Sequence, residues 1–163
     1  MQTFTNEQRY DQPVAHVLAR YTDTAFLTKK YAALGRQDIA VLEHKVTPQQ
    51  ARLRMTYSDS AGMELPDFAK KLMPERTQVV QSVTWDLVKQ VGEIEVESKG
   101  SPVTIKGRMQ LKDDGKGGCT NTITWNVSCS IPLLGGKVEK LLVEGLGRKA
   151  RQDEAVSRQL LAE

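Results

Sequence analysis

Two histidines, two cysteines and two glycine-rich stretches are the residues of this chain whose types could support chemistry, and their spacing decides how much of that chemistry survives. His16 and His44 belong to no recognisable nucleophile or metal motif and read as surface or edge residues. Cys119 and Cys129 fall in one strand-like run, where a rise of about 3.3 Å per residue sets their Cα atoms about 33 Å apart. A disulfide requires roughly 7 Å or less, so the two cannot pair. Neither thiol has an identifiable activating partner, and Cys and His are too few for a zinc cluster. No serine lies in a G-x-S-x-G elbow. Gly145, Leu146, Gly147, Arg148, Lys149 and Ala150 match G-x-G-x-x-A. That motif works only after a strand and at a helix amino terminus, whereas these residues lie inside a helical stripe, so a dinucleotide site is rejected. Gly115 to Gly118 lacks the spacing of a phosphate loop and reads as a hairpin turn. No catalytic residue, metal or cofactor is assigned.

The elements that must position any site follow from composition and periodicity. The chain has 163 residues, 39% apolar and 26% charged, which suits one packed domain over residues 1–163 and excludes disordered and collagenous classes. Its longest unbroken apolar run, Ile39 to Leu42, is far short of the roughly 20 residues a membrane-crossing helix needs. Residues Met1 to Asn6 carry neither a basic nor an apolar leader region, so a cytoplasmic location is expected. The sequon at Asn126, Val127 and Ser128 is discounted on the same ground. Twenty-three basic against 20 acidic residues leave a net charge of +3. Arg148, Lys149 and Arg151 read as the solvated face of a helix, so no nucleic-acid partner is implied.

Phe4 and Tyr10 share a parity in a first strand over Thr3–Tyr10. Asp11 reads as the cap of a helix with Pro13 in its first turn and Val14, Val17, Leu18 and Tyr21 on one face. Asp23 caps a second helix lined by Phe26, Leu27, Tyr31 and Leu34 and ended by Gly35. Ile39–Val46 and Ala51–Tyr57 form a hairpin, and Pro66–Met73 a short helix with Phe68 and Leu72 inward. A strand from Thr77 places Val79, Gln81, Val83, Trp85 and Leu87 on one parity. Three more runs alternate in the same way: Ile94 and Val96, then Val103 to Leu111, then Ile123 to Ile131. Gly135 and Gly136 read as a hinge before a helix running from Val138 to about residue 162.

Seven strands and one long terminal helix make an α+β layout whose curved sheet has one apolar face to cover. Gly145 and Gly147 each cost the helix about 1 kcal/mol relative to alanine. Either they allow close packing or a local bend, or they leave room for a ligand.

The opening strand Phe4–Tyr10 with Pro13, the Gln81–Trp85 strand, the strand containing Gly100, Pro102 and Gly107, and the segment Ile131–Glu139 carry a resemblance. Over essentially its whole length the chain is similar to the helix-grip fold of the START-like, or SRPBCC, superfamily, and most of all to the bacterial domain of unknown function 2505. The resemblance implies a curved seven-stranded antiparallel sheet wrapped around a long C-terminal helix, two short helices after the first strand, and a hydrophobic cavity between sheet and helix.

Leu53, Met55, Tyr57, Gln81, Val83, Trp85, Leu87, Met109, Trp125, Leu142 and Leu146 are the candidate ligand-binding residues, since aromatic and methionine side chains adapt to irregular apolar guests. The same residues would equally fill a solid core. An inward Gln81 needs a hydrogen-bond partner, and a ligand's polar group is one. The expected function is binding or carriage of a lipid, isoprenoid or polyketide-like molecule. The alternatives are a polyketide cyclase or hydratase-type enzyme using Tyr57 with Gln81, and an interaction module whose apolar groove makes a transient protein or membrane contact.

Overall fold

Period-two alternation gives each strand one apolar row that must leave water, and the computed structural model, which describes residues 1–60, 66–71 and 74–163, shows how the rows are sheltered. Along the chain run β1 (Gln2–Tyr10), α1 (Val14–Tyr21), α2 (Thr24–Ala33), β2 (Gln37–Val46), β3 (Gln50–Ser60) and the one-turn α3 (Asp67–Lys70). They are followed by β4 (Arg76–Asp86), β5 (Val91–Ser98), β6 (Val103–Asp113), β7 (Cys119–Cys129) and α4 (Gly135–Leu161). All the strands form one antiparallel sheet in the order β1-β7-β6-β5-β4-β3-β2. The first strand pairs with the last, which leaves β1 and β2 as the two edges.

The expected architecture is present; several local details differ. Asp11 does not cap α1: it pairs with Arg158 of α4 at 3.4 Å, and Pro13 holds the cap position without a side-chain bond. The Val14 amide donates instead to Oδ1 of Asp113, at the end of β6, at 3.2 Å. The cap thus comes from a residue distant in sequence, which local pattern cannot reveal. Asp23 does cap α2, accepting from the Ala25 amide at 3.0 Å, and Gly35 ends it at φ +83°. Gly135 and Gly136 are the first residues of α4 rather than a hinge. A Cβ on Gly135 would lie 2.7 Å from the Cys129 carbonyl oxygen, so the helix starts against β7 only because glycine stands there.

α3 is too short to present an apolar stripe; Ala69 is its buried residue and Phe68 is 36% exposed, not inward. Leu72 lies outside the described residues. Two register shifts against β3 interrupt the alternation of β2, and Val41, Leu42 and Val46 are exposed on this edge. Leu87 follows the last residue of β4 and sits in the turn, where its amide donates to the Gln49 carbonyl at 2.9 Å.

At about 1.5 Å per residue, the 27-residue α4 reaches about 40 Å. It packs along β1 and β7 and touches α2, which backs β2. α1 and α2 close one end of the inner face, in a core cluster with Leu53, Met55 and Leu111, and among the described elements no helix fills the inner face of the central strands beyond them. There, glycines control how the large side chains lie. Trp85 pairs across the ladder with Gly92, and Trp125 with Gly107. A Cβ on Gly92 would be 2.7 Å from the Trp85 ring, and one on Gly107 would be 2.9 Å from the Trp125 ring and 2.8 Å from Ile94. Each indole therefore rests over bare backbone instead of standing up from the sheet.

Gly107→Ala is expected to destabilise the domain by about 1–3 kcal/mol through overpacking. Gly136→Ala, with nothing within 4 Å of the added methyl, is expected to stabilise it by about 0.4–1 kcal/mol. Urea titration followed by tryptophan fluorescence measures both, and equal effects would contradict the close approach of Trp125 to Gly107.

Candidate functional site

Because α4 covers one side of the sheet and α2 the other edge, a cavity of about 240 Å³, partly open to solvent, remains between them and the central strands. It exceeds the roughly 150 Å³ void known to take a single benzene ring and falls below the roughly 300 Å³ at which drug-sized sites begin. The apolar wall comes from the inward parity of four strands and from α4, with Val83, Trp85, Ile94, Val96, Met109, Trp125, Leu142 and Leu146 its main contributors. Gly145 of α4 also faces it, so the helix presents no side chain at that point.

Eight of the anticipated residues, Tyr57, Gln81, Val83, Trp85, Met109, Trp125, Leu142 and Leu146, come together on this cavity. Leu53 and Met55 do not line it: they are buried in the packed core on β3, nearer the β2–β3 hairpin than Tyr57. Leu87 is absent because β4 ends one residue before it. Trp125 has its indole N–H committed to Oδ1 of Asn6 at 3.2 Å.

The other wall is polar and rests on α2. Tyr57 donates to Oε1 of Gln81 at 2.6 Å, and Nε2 of Gln81 donates to the Tyr31 hydroxyl at 2.7 Å. The partner that Gln81 required is therefore supplied by the protein. The Arg36 guanidinium lies 4.5 Å from the Tyr31 ring centre and 4.4 Å from that of Tyr57, and 3.6 Å from Oδ2 of Asp59. Lys149 reaches the same Asp59 oxygen at 2.8 Å and the Ser60 carbonyl at 2.6 Å. It is a half-buried cavity residue, not part of a solvated face; Arg148 and Arg151 are exposed.

Beside this group Tyr21 donates to the Tyr10 hydroxyl at 2.7 Å, Tyr10 donates to Oε1 of Gln8, and Gln8 donates to Oδ1 of Asp153 at 3.3 Å. Lys30 closes the set with an ion pair to the same oxygen at 3.0 Å, its ammonium 4.6 Å from the Tyr21 ring centre.

Burial raises the hydroxyl pKa of Tyr10, Tyr21, Tyr31 and Tyr57, so all four stay protonated at neutral pH. Burial alone would lower the Lys30 pKa, but Asp153, with help from Tyr21 and Tyr31, carries it above the ordinary lysine value. For Lys149 burial wins over Asp59 and the pKa falls. Three cations, Lys30, Arg36 and Lys149, face two carboxylates, Asp59 and Asp153, an excess of one positive charge on the cavity wall. His44 is exposed on edge strand β2 with Nε2 2.8 Å from the Thr22 carbonyl oxygen. His16 is half-buried on α1 rather than at the surface. Burial, with Asp113 and Asp114 nearby, raises the Cys119 thiol to about 11, which removes it as a nucleophile. Among the described residues no cluster of His, Cys, Asp and Glu could hold a metal ion, and no helix is long and apolar enough to cross a membrane.

A family model described as a protein of unknown function, DUF2505, matches residues 5–161. The chain belongs to the DUF2505 family. No curated protein matches it. Solved structures with the same fold include TTHA0849 from Thermus thermophilus, with TM-score 0.63 and 16% identity over 96% of this chain and 97% of that one. The ZhuI aromatase/cyclase from Streptomyces sp. R1128 gives TM-score 0.62 and 10% identity over 98% and 90% of the two chains. A START superfamily protein from Mycobacterium smegmatis gives 0.60 and 13% over 97% and 98%. At these identities the likeness establishes the helix-grip, START-like fold.

The polar wall of this DUF2505 domain is what the sequence pattern missed. Tyr31 was visible as a helix-face aromatic. Asp59 and Asn121 share the inward parity of Tyr57 and of Ile123, and Lys30 falls at helical spacing from Phe26, Leu27 and Leu34, but charged and amide side chains at such positions are ordinarily solvated; Arg36 and Asp153 were not marked by any apolar pattern. Asp153→Ala, which strands the buried Lys30, is expected to cost about 3–5 kcal/mol. Replacing Lys30 by Met and Asp153 by Leu together is expected to cost less than the two single changes summed. Because Lys30 holds its proton more tightly in the fold, the pair's contribution is complete below the ordinary lysine value of 10.5 and declines as pH rises above it. Denaturant titrations of wild type and Asp153→Asn should therefore converge only at strongly alkaline pH.

Proposed function

We propose that this DUF2505 domain binds and carries a hydrophobic small molecule in the cavity between the central strands and α4, and that it does so in the cytoplasm. The observation that carries this reading is the void of about 240 Å³ itself, kept open between two faces that would otherwise pack together. Apolar burial at about 25 cal/mol per Å² drives entry, and the tyrosine, amide and charged groups of the α2 side orient the guest. The size favours a body of about two fused rings or a short acyl chain. The presence of an aromatase/cyclase and a START superfamily protein among the structures of this fold supports the ligand class.

One observation favours a second reading, catalysis on a polyketide-like substrate: the Tyr57–Gln81–Tyr31 chain faces the cavity beside Arg36. With its pKa raised, Tyr57 stays protonated and is no base; its proton is donated to Gln81, so the group this chain offers a carbonyl oxygen is the Tyr31 hydroxyl, which accepts from Gln81, and Tyr57 acts by holding Gln81 in place. Turnover of a poly-β-ketone mimic that falls tenfold or more in Tyr57→Phe would support this reading, and equal turnover removes Tyr57 from it.

Saturable uptake of the uncharged fluorophore N-phenyl-1-naphthylamine, at one site per chain, is expected for the wild type. Leu146→Trp and Val83→Trp, which fill the void, should weaken it at least tenfold while leaving the far-ultraviolet circular dichroism unchanged. Absence of saturable uptake, together with native mass spectra of gently purified protein that show no bound compound, would overturn the binding reading.

A further inference from the structure

Asn121 of β7 is 1% exposed and lines the cavity, and its side-chain oxygen Oδ1 is buried without a hydrogen-bond partner. An unpaired acceptor removed from water loses its hydration with nothing in return, so a native fold keeps one only where something else completes it. The neighbouring protein groups cannot. Tyr21 donates to Tyr10, Tyr10 to Gln8, and both donors of the Gln8 amide are directed at Asp153 and the Ala150 carbonyl. Lys30 is drawn to Asp153 as well. The donors of this chain are passed on to the Asp153 carboxylate and the Ala150 carbonyl, while the Asn121 amide approaches Tyr10 and leaves its oxygen over.

We propose that Asn121 is a specificity-determining residue that accepts a hydrogen bond from the ligand, which is therefore an apolar molecule bearing a hydroxyl or N–H donor, such as a phenol or an alcohol, and not a plain hydrocarbon or an ether. This rests on the reading of the cavity as a binding site. It goes further by naming the polar group the guest must carry. A site built to pair with a hydroxyl discriminates strongly against the analogue that lacks it, because the partner is then left orphaned.

Three probes of nearly one shape test the assignment by isothermal titration: 2-naphthol, naphthalene and 2-methoxynaphthalene. The wild type is expected to bind 2-naphthol about tenfold more tightly than 2-methoxynaphthalene, with naphthalene between them. Asn121→Leu is expected to abolish the preference for 2-naphthol while binding naphthalene at least as well. Wild-type protein that binds all three equally would overturn the proposal and leave the cavity reading standing, with water completing Asn121. Wild-type protein that binds none would overturn both. If Asn121→Leu does not fold, Asn121→Ala makes the same comparison, and a wild type without the preference overturns the proposal in either case.

Discussion

A single helix is narrower than a seven-stranded sheet that curves around it, and the rest of the molecule follows from that mismatch. α4 lies along β1 and β7, α1 and α2 close one end of the sheet over Leu53, Met55 and Leu111, and the rest of the central strands' inner face meets a void. A hollow of this kind tends to collapse, because its lining forgoes dispersion contacts that close packing would supply. Two features oppose collapse. Trp85 and Trp125 rest over Gly92 and Gly107 rather than standing up from the sheet, and Gly145 withholds a side chain where α4 would otherwise reach in. The glycines weaken their own strands and helix, and the space they preserve is the return for that weakness.

The polar wall answers a second need. Two short helices inserted after β1 have to be fixed against the far end of α4, and the apolar contact available across a hollow is limited. Lys30 on α2 and Asp153 on α4 bridge it with an ion pair, and Gln8, Tyr10 and Tyr21 fill the remaining hydrogen-bonding positions. A buried pair of this type adds little net stability but is damaging to break, so it specifies position more than it strengthens. The groups that hold the helices in place are thus the groups a guest would meet at its polar end. Neutral tyrosines and paired charges line that end, with Asn121 as the one buried cavity acceptor among the described residues left uncompleted.

Strand parity and helix-face spacing were enough to place Tyr57, Gln81, Val83, Trp85, Met109, Trp125, Leu142 and Leu146 on inward faces, since a period of two or of 3.6 is a property of neighbouring residues. The same reasoning could not separate Leu53 and Met55 from Tyr57, which share a parity but lie at different heights along β3. It extended β4 by one residue and so included Leu87. It also took Lys149 for a solvated residue, because a lysine on an amphipathic helix ordinarily is one.

What the sequence determined alone was the kind and order of elements, the apolar face of each, and through its short motifs the family to which they belong. These are local quantities, written in residue types a few positions apart. Only the tertiary structure decided which indole crosses which glycine, which carboxylate caps α1, and that Lys30 should meet Asp153. Gln8 and Asp153 are 145 residues apart in the chain, and nothing near either one records the other. Such partners are chosen by the strand register and by where α4 lies across the sheet, so the cavity and its polar wall came into view only when the chain was folded.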